Sequence, residues 1–433
     1  MATLSRQTEQ PRLAAHSTCK IALAGFGTVG TSVARLLYAR SGHPLRLTHV
    51  CNREVARKKV DWVSSDVTWT EDIEEVLASD VDVVVELLGG LKPAHDWVRR
   101  ALQSHKSVVT ANKQLIAHFG SELLELARNH GLYLGFGGCV AGGVPLLAGL
   151  HDGLAGDRLV KIRGILNGTC NYVLTRMEQG GRSFAEALRE AQQAGLAEAD
   201  PTEDVDGLDA RAKLVIVARF GLNVDVRPEQ VVCRSIRNVK AVDFVYAHEL
   251  GCTIRQVSTA KLCEERIYVV VEPTIVSRSS PLAGVSGAEN LIVSTGDFGG
   301  DTIFAGRGAG GDPTAVAVVS DLLQVARCRS HGLDWPDRLP ARSCEVTEDL
   351  ELPRYVRFVV RDRVGIIATV ASIFARHQVN LDAVLQKPGY AKSELPFVIT
   401  LEPCKRSQLE AALSHLEGAD FLAETPFTMS ILQ

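Results

Sequence analysis

The chain has 433 residues, 46% hydrophobic and 23% charged, with a formal net charge of −4 from 47 Lys and Arg against 51 Asp and Glu. This length predicts about two to three domains, the near-neutral balance gives no basic field for nucleic acid, and no apolar run approaches the ~20 residues that span a bilayer. The ten cysteines form no CxxC pair and no Cys/His ligand spacing, so they indicate neither a disulfide framework nor zinc and fit a reducing cytoplasm.

Residues 1–18 lack the apolar core of a secretory signal and read as a disordered lead-in. A short apolar strand at 20–24 runs directly into Gly25-Phe26-Gly27-Thr28-Val29-Gly30, and 31–39 has the apolar spacing of a helix. Strand, tight glycine turn and helix form the context in which GxGxxG carries information. The glycines let the backbone approach a pyrophosphate seated on the helix N-terminus. A second strand at 45–51 ends at Asn52-Arg53, with Arg57, Lys58 and Lys59 close behind. A site selective for NAD often places an acid there for the ribose 2′-hydroxyl. Cations suit a 2′-phosphate instead, so NADP(H) is the expected cofactor and NAD(H) the second choice.

Apolar strands at 81–88, 107–110 and 132–136 alternate with helices at 94–103 and 114–129, which predicts a parallel, doubly wound sheet over 19–155. Functional residues in such sheets lie beyond the strand C-ends, here Leu88-Gly89-Gly90 and Thr110-Ala111-Asn112-Lys113. The run Gly137-Gly138-Cys139-Val140-Ala141-Gly142-Gly143-Val144-Pro145 either lets a ligand or ion approach the backbone or simply packs a tight turn.

From residue 156 the pattern becomes α+β. A strand at 159–166 ends in Asn167-Gly168-Thr169, and helices follow to 219. Strands at 267–272, stopped by Pro273, and at 291–294 complete a substrate and dimerisation domain to 307. Within it lies GLAEADPTEDVDGLDARAK (195–213), with acids at Glu198, Asp200, Glu203, Asp204, Asp206 and Asp209. Asp209 and Lys213, four apart on a helix, share a face. The apolar run after Lys213 makes it a partly buried ammonium among carboxylates, and thus a candidate proton donor. The plainer alternative is a helix start decorated with acids and one salt bridge.

The glycine-rich loop 306–314 leads into a helix over 308–327 that should return to the nucleotide domain and bring Gly308 and Gly310 near the cofactor. Residues 328–353 read as a linker. The order βαββαβ over 354–433 predicts a ferredoxin-like unit.

Together these pieces resemble homoserine dehydrogenase over 19–433, in the monofunctional form. The motifs are GFGTVG (25–30), VVVELLGG (83–90), TANK (110–113), VAGGVP (140–145), ILNGTCNY (165–172), the 195–213 stretch and GRGAGGDPT (306–314). DRVGIIATVASIFARHQVNL (362–381) resembles an ACT domain. The resemblance implies reversible, NAD(P)H-dependent reduction of aspartate 4-semialdehyde to homoserine, in threonine and methionine synthesis from aspartate. It implies Lys213 as proton donor, Lys113 as a second lysine by substrate and cofactor, Glu198 and Asp209 as substrate anchors, and Asp204 in support. Cofactor contacts would come from Gly25, Phe26, Gly27, Thr28, Val29, Gly30, Arg53, Thr110, Lys113, Gly308 and Gly310.

The family also binds a monovalent cation, Na or K, for which Gly137, Val140, Gly142 and Val144 would supply backbone oxygens. This chain departs there, with Gly137-Gly138-Cys139 where the family has a Glu-Ala-Ser-like run. Cys170 stands in place of a common threonine. The ACT unit implies an amino-acid effector, threonine first, and a homodimer or homotetramer. Three rivals are another Rossmann dehydrogenase with a regulatory tail, against which the 195–213 stretch and the N-terminal glycine turn speak; an aspartate-semialdehyde dehydrogenase, for which only Cys139 stays open as nucleophile; and a non-catalytic sensor of nucleotide and amino acid, against which Lys113, Glu198, Asp204, Asp209 and Lys213 together speak.

Overall fold

The computed structural model describes residues 18–40, 42–331 and 341–432. The expected lead-in up to residue 17 and residues 332–340 of the expected linker, including Pro336 and Pro340, lie outside them.

The first layer is a six-stranded parallel sheet. Its elements are β1 (Cys19–Ala24), α1 (Thr28–Ala39), β2 (Leu45–Cys51), β3 (Thr68–Thr70), β4 (Val83–Glu86), α2 (Ala94–Gln103), β5 (Ser107–Thr110), α3 (Lys113–Asn129) and β6 (Leu134–Gly135). Strand order is β3-β2-β1-β4-β5-β6, so the winding reverses between β1 and β4. Every residue of β4 and β5 is buried, as strands covered by helices on both faces require. The reversal opens a crevice beyond the strand C-ends, where the glycine turn and the start of α3 meet.

The second layer is built from β7 (Leu159–Ile165), α4 (Gly168–Gly180), α5 (Leu208–Gly221), β8 (Cys252–Cys263), β9 (Arg266–Ser277), β10 (Glu289–Gly296), β11 (Gly300–Arg307) and α6 (Gly311–His331). From Asp209 to Arg219, α5 is buried at every position except Arg211. A helix enclosed on all sides is a central strut, and α5 packs on α3 of the first layer and on β8 of the second. α6 returns to the first sheet, burying Ala315, Val318, Val319, Leu322 and Val325 with Val33 and Leu37 of α1.

Pro273 does not end its strand. β9 runs on to Ser277, with Pro273 opposite Gln256. On its other edge β9 pairs with Val232–Cys233 at Val270 and Val271, and with the last strand at 274–276. Pro273 falls in the gap between these stretches, where no neighbour needs its missing N–H.

The C-terminal unit comprises β12 (Leu352–Val360), α7 (Ile366–Arg376), β13 (Leu381–Gln386), β14 (Leu395–Cys404), α8 (Arg406–Ser414) and β15 (Phe427–Leu432). Its strand order, β15-β12-β14-β13, is that of a ferredoxin-like unit. The unit is not a separate appendage. β15 pairs parallel with β9 as well as antiparallel with β12, which fuses both parts into one eleven-stranded sheet. Nor is the described part of the expected linker irregular: Arg342–Ser343 pairs with Val224–Asp225, and Glu345–Thr347 pairs with β9. Backbone amides on open strand edges are satisfied in this way.

Two buried acids pin the junction. Glu272 of β9 accepts from Arg406 of α8 at 3.0 Å and from Ser430 of β15. Asp243, fully buried on the helix Ala241–Glu249, accepts from the Tyr355 hydroxyl at 2.7 Å and pairs with Arg357, both on β12.

Candidate active site

The glycine turn is shaped by close approach. Gly25 has φ +111°, and a Cβ there would stand 2.8 Å from the Leu87 carbonyl oxygen. A Cβ at Gly30 would lie 2.3 Å from the Gly25 carbonyl. At Gly27, by contrast, a Cβ would meet nothing within 4 Å, so the middle of the turn faces open space at the N-terminus of α1. Space and free N–H groups there fit a dinucleotide pyrophosphate.

Phe26 is engaged by its protein neighbours. Its N–H donates to Asn52 Oδ1 at 2.9 Å, while its ring is buried edge-on to Trp69 at 4.9 Å. Arg53 lies exposed just past β2, without an ion pair among the described residues, whereas Arg57 pairs with Glu54 at 2.7 Å.

Thr28 and Val29 line a cleft of 690 Å³ opposite Lys113, Asp209 and Lys213. The loop Gly308-Ala309-Gly310 covers its nucleotide side, and Ser32 of α1 holds Asp312 beyond that loop at 2.7 Å. A second hollow of 710 Å³ adjoins it and shares Lys113, Asp204 and Asp209 as walls.

Where the hollows meet, one carboxylate holds two lysines. Lys213 Nζ donates to Asp209 Oδ2 at 2.7 Å and to the Leu166 carbonyl at 2.8 Å. Lys113 Nζ stands 3.0 Å from Asp209 Oδ1. α5 starts at Gly207 in the left-handed region, φ +82°, which places Asp209 in the first turn and Lys213 one turn later. Lys113 arrives from the other layer as the first residue of α3, capped by the Asn112 side chain.

Burial works to raise the Asp209 carboxyl, but Lys213 and then Lys113 hold it well below the usual carboxylate range. Burial likewise opposes the Lys113 charge, and Asp209 more than offsets it, so this ammonium titrates above its ordinary value. Asp204 moves the other way, raised by burial with a smaller push from Asp209.

Of the other expected anchors, Asp204 joins the cluster and Glu198 does not. Glu198 is exposed, lining only the outer hollow. Thr110 is fully buried behind the cleft wall. Its hydroxyl donates to Glu86 Oε2 at 2.6 Å and accepts the Asn112 N–H at 2.9 Å. In the 137–145 run, the Gly137 N–H donates to Asp321 and the Val144 carbonyl accepts the Leu146 N–H at 2.7 Å, which occupies one of the four oxygens expected to hold a cation.

Two side chains escaped the sequence reading. Asn167 donates through one Nδ2 to Asp204 at 2.6 Å and to Asp209 at 2.9 Å while capping α4, so it binds the two acids into one block. Glu86 accepts from Thr110, the Leu88 N–H and Asn112, and so backs the turn beside Lys113. Asn167 opens the quoted NGT run and Glu86 sits in VVVELLGG, so those motifs were the available signals.

Cys139 lines the cleft, but its thiol is buried and pushed well above the ordinary range, chiefly by desolvation and then by Glu86 and Asp321. A nucleophile needs the thiolate, so the thioester alternative loses its reagent. What remains is a cleft with an ammonium aimed by a carboxylate beside a nucleotide cradle, equipped for proton transfer coupled to redox chemistry on a small polar substrate.

Comparison with known proteins agrees. The family model described as homoserine dehydrogenase matches residues 145–323, its NAD-binding domain matches 25–136, and the ACT domain model matches 354–420. Homoserine dehydrogenase of Synechocystis sp. is 36% identical, covering 96% of this chain and all of the relative. That of Bacillus subtilis is 34% identical, covering 95% and 98%. The crystal structure of a homoserine dehydrogenase from Thiobacillus denitrificans superimposes with a TM-score of 0.90 at 30% identity, over 96% of this chain and 99% of that one. No helix of the described residues is long and apolar enough to cross a membrane. The chain belongs to the homoserine dehydrogenase family, an oxidoreductase with a nicotinamide-nucleotide-binding Rossmann domain and a C-terminal ACT domain.

Proposed function

We propose that the chain interconverts L-aspartate 4-semialdehyde and L-homoserine within threonine and methionine synthesis from aspartate, preferring NADP(H) to NAD(H). The observation that carries this reading is the Asp209 carboxylate, which holds Lys213 on one oxygen and Lys113 on the other. A dinucleotide held by its pyrophosphate on the glycine turn would supply the hydride for the aldehyde carbon, or take it back in the reverse direction.

Lys213 donates a proton to the carbonyl oxygen as negative charge develops there, and ends neutral until solvent restores the proton. Asp209 and the Leu166 carbonyl fix two of its hydrogens, which aims the third at the cleft. Lys113 keeps its charge beside the same carboxylate and balances the developing alkoxide. Glu198, at the mouth, takes the substrate ammonium, with Asp204 in support. Arg53, exposed and unpaired among the described residues, meets the ribose 2′-phosphate. A monovalent cation would take the oxygens of Gly137, Val140 and Gly142, with Val144 as a weaker contributor.

Threonine is the proposed effector at the ACT unit, and a homodimer or homotetramer brings two such units together. Val364, fully exposed, and Ile367 form an apolar patch at the start of α7 that suits this pairing. The decisive experiment follows NADPH oxidation with aspartate 4-semialdehyde, then repeats it with NADH and with threonine. Turnover that disappears in Lys213→Ala while NADPH binding survives is the expected result. A folded wild-type sample that binds NADPH and turns over with neither cofactor would sink the proposal.

A further inference from the structure

Asn290, on β10, is 2% exposed and has no part in the roles assigned above. Its Nδ2 donates to the Leu166 carbonyl at 3.3 Å. Lys213 uses the same carbonyl at 2.8 Å, one lone pair serving each donor. On its other side the carboxamide forms the floor under Gly308. A Cβ added at Gly308 would stand 2.1 Å from the amide carbon and 2.2 and 2.3 Å from its oxygen and nitrogen.

Gly308 begins the loop on the nucleotide side of the cleft. That loop also presses on the other glycine run, since a Cβ at Gly142 would lie 2.9 Å from the Gly308 carbonyl carbon. One buried amide thus touches both the Leu166 carbonyl shared with Lys213 and the loop that lines the nucleotide side of the cleft.

We propose that Asn290 is a positioning residue that couples the seating of the Gly308–Gly310 loop to the aim of Lys213, an inference that rests on Lys213 being the proton donor. With the loop seated, the amide has no room to rotate and keeps its hydrogen bond to Leu166. The Leu166 carbonyl then stays directed at Lys213. With the loop displaced, the amide is released, the carbonyl loses one of its two donors, and the lysine loses one of its two fixed acceptors' orientations. Proton transfer is therefore best organised when the nucleotide side is closed. Asn290 touches neither substrate nor cofactor in this scheme.

The test uses the full chain in three variants, Asn290→Ala, Gly308→Ala and the double variant, with Lys213→Ala as reference. Asn290→Ala should lower kcat about 10- to 100-fold, the scale of a misplaced reacting group, with little change in KM for aspartate 4-semialdehyde. The solvent deuterium isotope effect on kcat should rise as proton transfer becomes limiting. Gly308→Ala should give the same signature, because its methyl displaces the amide. Once Asn290 is already Ala, the added methyl has room and should cost little, so the two effects will be far from additive.

If Asn290→Ala fails to fold, Gly308→Ala alone decides. Unchanged kcat and isotope effect in the folded single variants, or additive losses in the double one, would overturn the coupling. Those outcomes leave the proton-donor reading untouched as long as Lys213→Ala is inactive. An active Lys213→Ala would remove that reading and this proposal with it.

Discussion

Lys213 Nζ and Asp209 Oδ2 stand 2.7 Å apart, one turn along a helix buried by both layers of the protein. The pair is charged where charge is expensive, and it survives because Lys113 and Asn167 also bind the carboxylate. Asp209→Asn removes the countercharge from two ammonium groups at once. We expect kcat to fall about 100-fold, in line with loss of preorganised charge, and stability to fall by about 3 kcal/mol, the scale of a broken buried pair. Steady-state rates and urea melts measure both.

The same carboxylate sets a pH dependence. Its folded form titrates well below the ordinary range, so below about pH 4 the unfolded chain binds a proton that the folded chain refuses. The stabilisation is therefore complete above that pH and is lost progressively as pH falls toward the folded value. Urea melts on the acid side should show a shallower slope of stability with pH in Asp209→Asn than in the wild type. Equal slopes would mean that Asp209 is not the group held charged.

The proposed preference for NADP(H) rests on Arg53. Arg53→Ala should raise KM for NADPH about tenfold, the ~1.4 kcal/mol expected of one exposed charge-assisted contact, and leave KM for NADH almost unchanged. Equal effects on both cofactors would place Arg53 outside the 2′-phosphate site.

Cys139 should be inert. Its thiol is 3% exposed and held protonated by burial. Treatment with iodoacetamide at neutral pH should leave turnover intact, with no alkylated Cys139 by mass spectrometry. Rapid inactivation tracking modification of Cys139 would reopen thiolate chemistry.

Features written in a few adjacent residues were legible from the sequence. The glycine turn, the Asp209–Lys213 pair and the βαββαβ order each rest on spacing along one or two elements. Asn290 and Asn167 were not, because each acts between elements far apart along the chain. Asn290 meets Leu166 across 124 residues, and Asn167 meets Asp209 across 42. Thr110 misled for the same reason: its hydroxyl answers a buried glutamate 24 residues away instead of the cleft. The fused sheet was hidden because the sequence reading stopped β9 at Pro273, short of the 274–276 stretch that pairs with β15, and nothing local says that these edges meet.

That fusion carries the last prediction. Asp243 is fully buried, belongs to the substrate domain, and receives Tyr355 and Arg357 from the first ACT strand. Burial raises its carboxyl, and the Arg357 guanidinium only partly offsets that rise. Asp243→Ala leaves the buried Tyr355 hydroxyl without this acceptor and the buried Arg357 guanidinium with only Glu424 and the Asn238 carbonyl, and should cost about 3 kcal/mol. It should also loosen the contact between β12 and the catalytic layer without touching the cleft. An effector bound at the ACT unit can reach the cleft only through elements whose arrangement both sites bias, with typical couplings of about 1–3 kcal/mol. Asp243→Asn keeps the volume and one acceptor, so it should fold and turn over while the proposed threonine response shrinks or disappears. Full threonine sensitivity in that variant would route the coupling elsewhere, with Glu272 and Arg406 as the next link to cut.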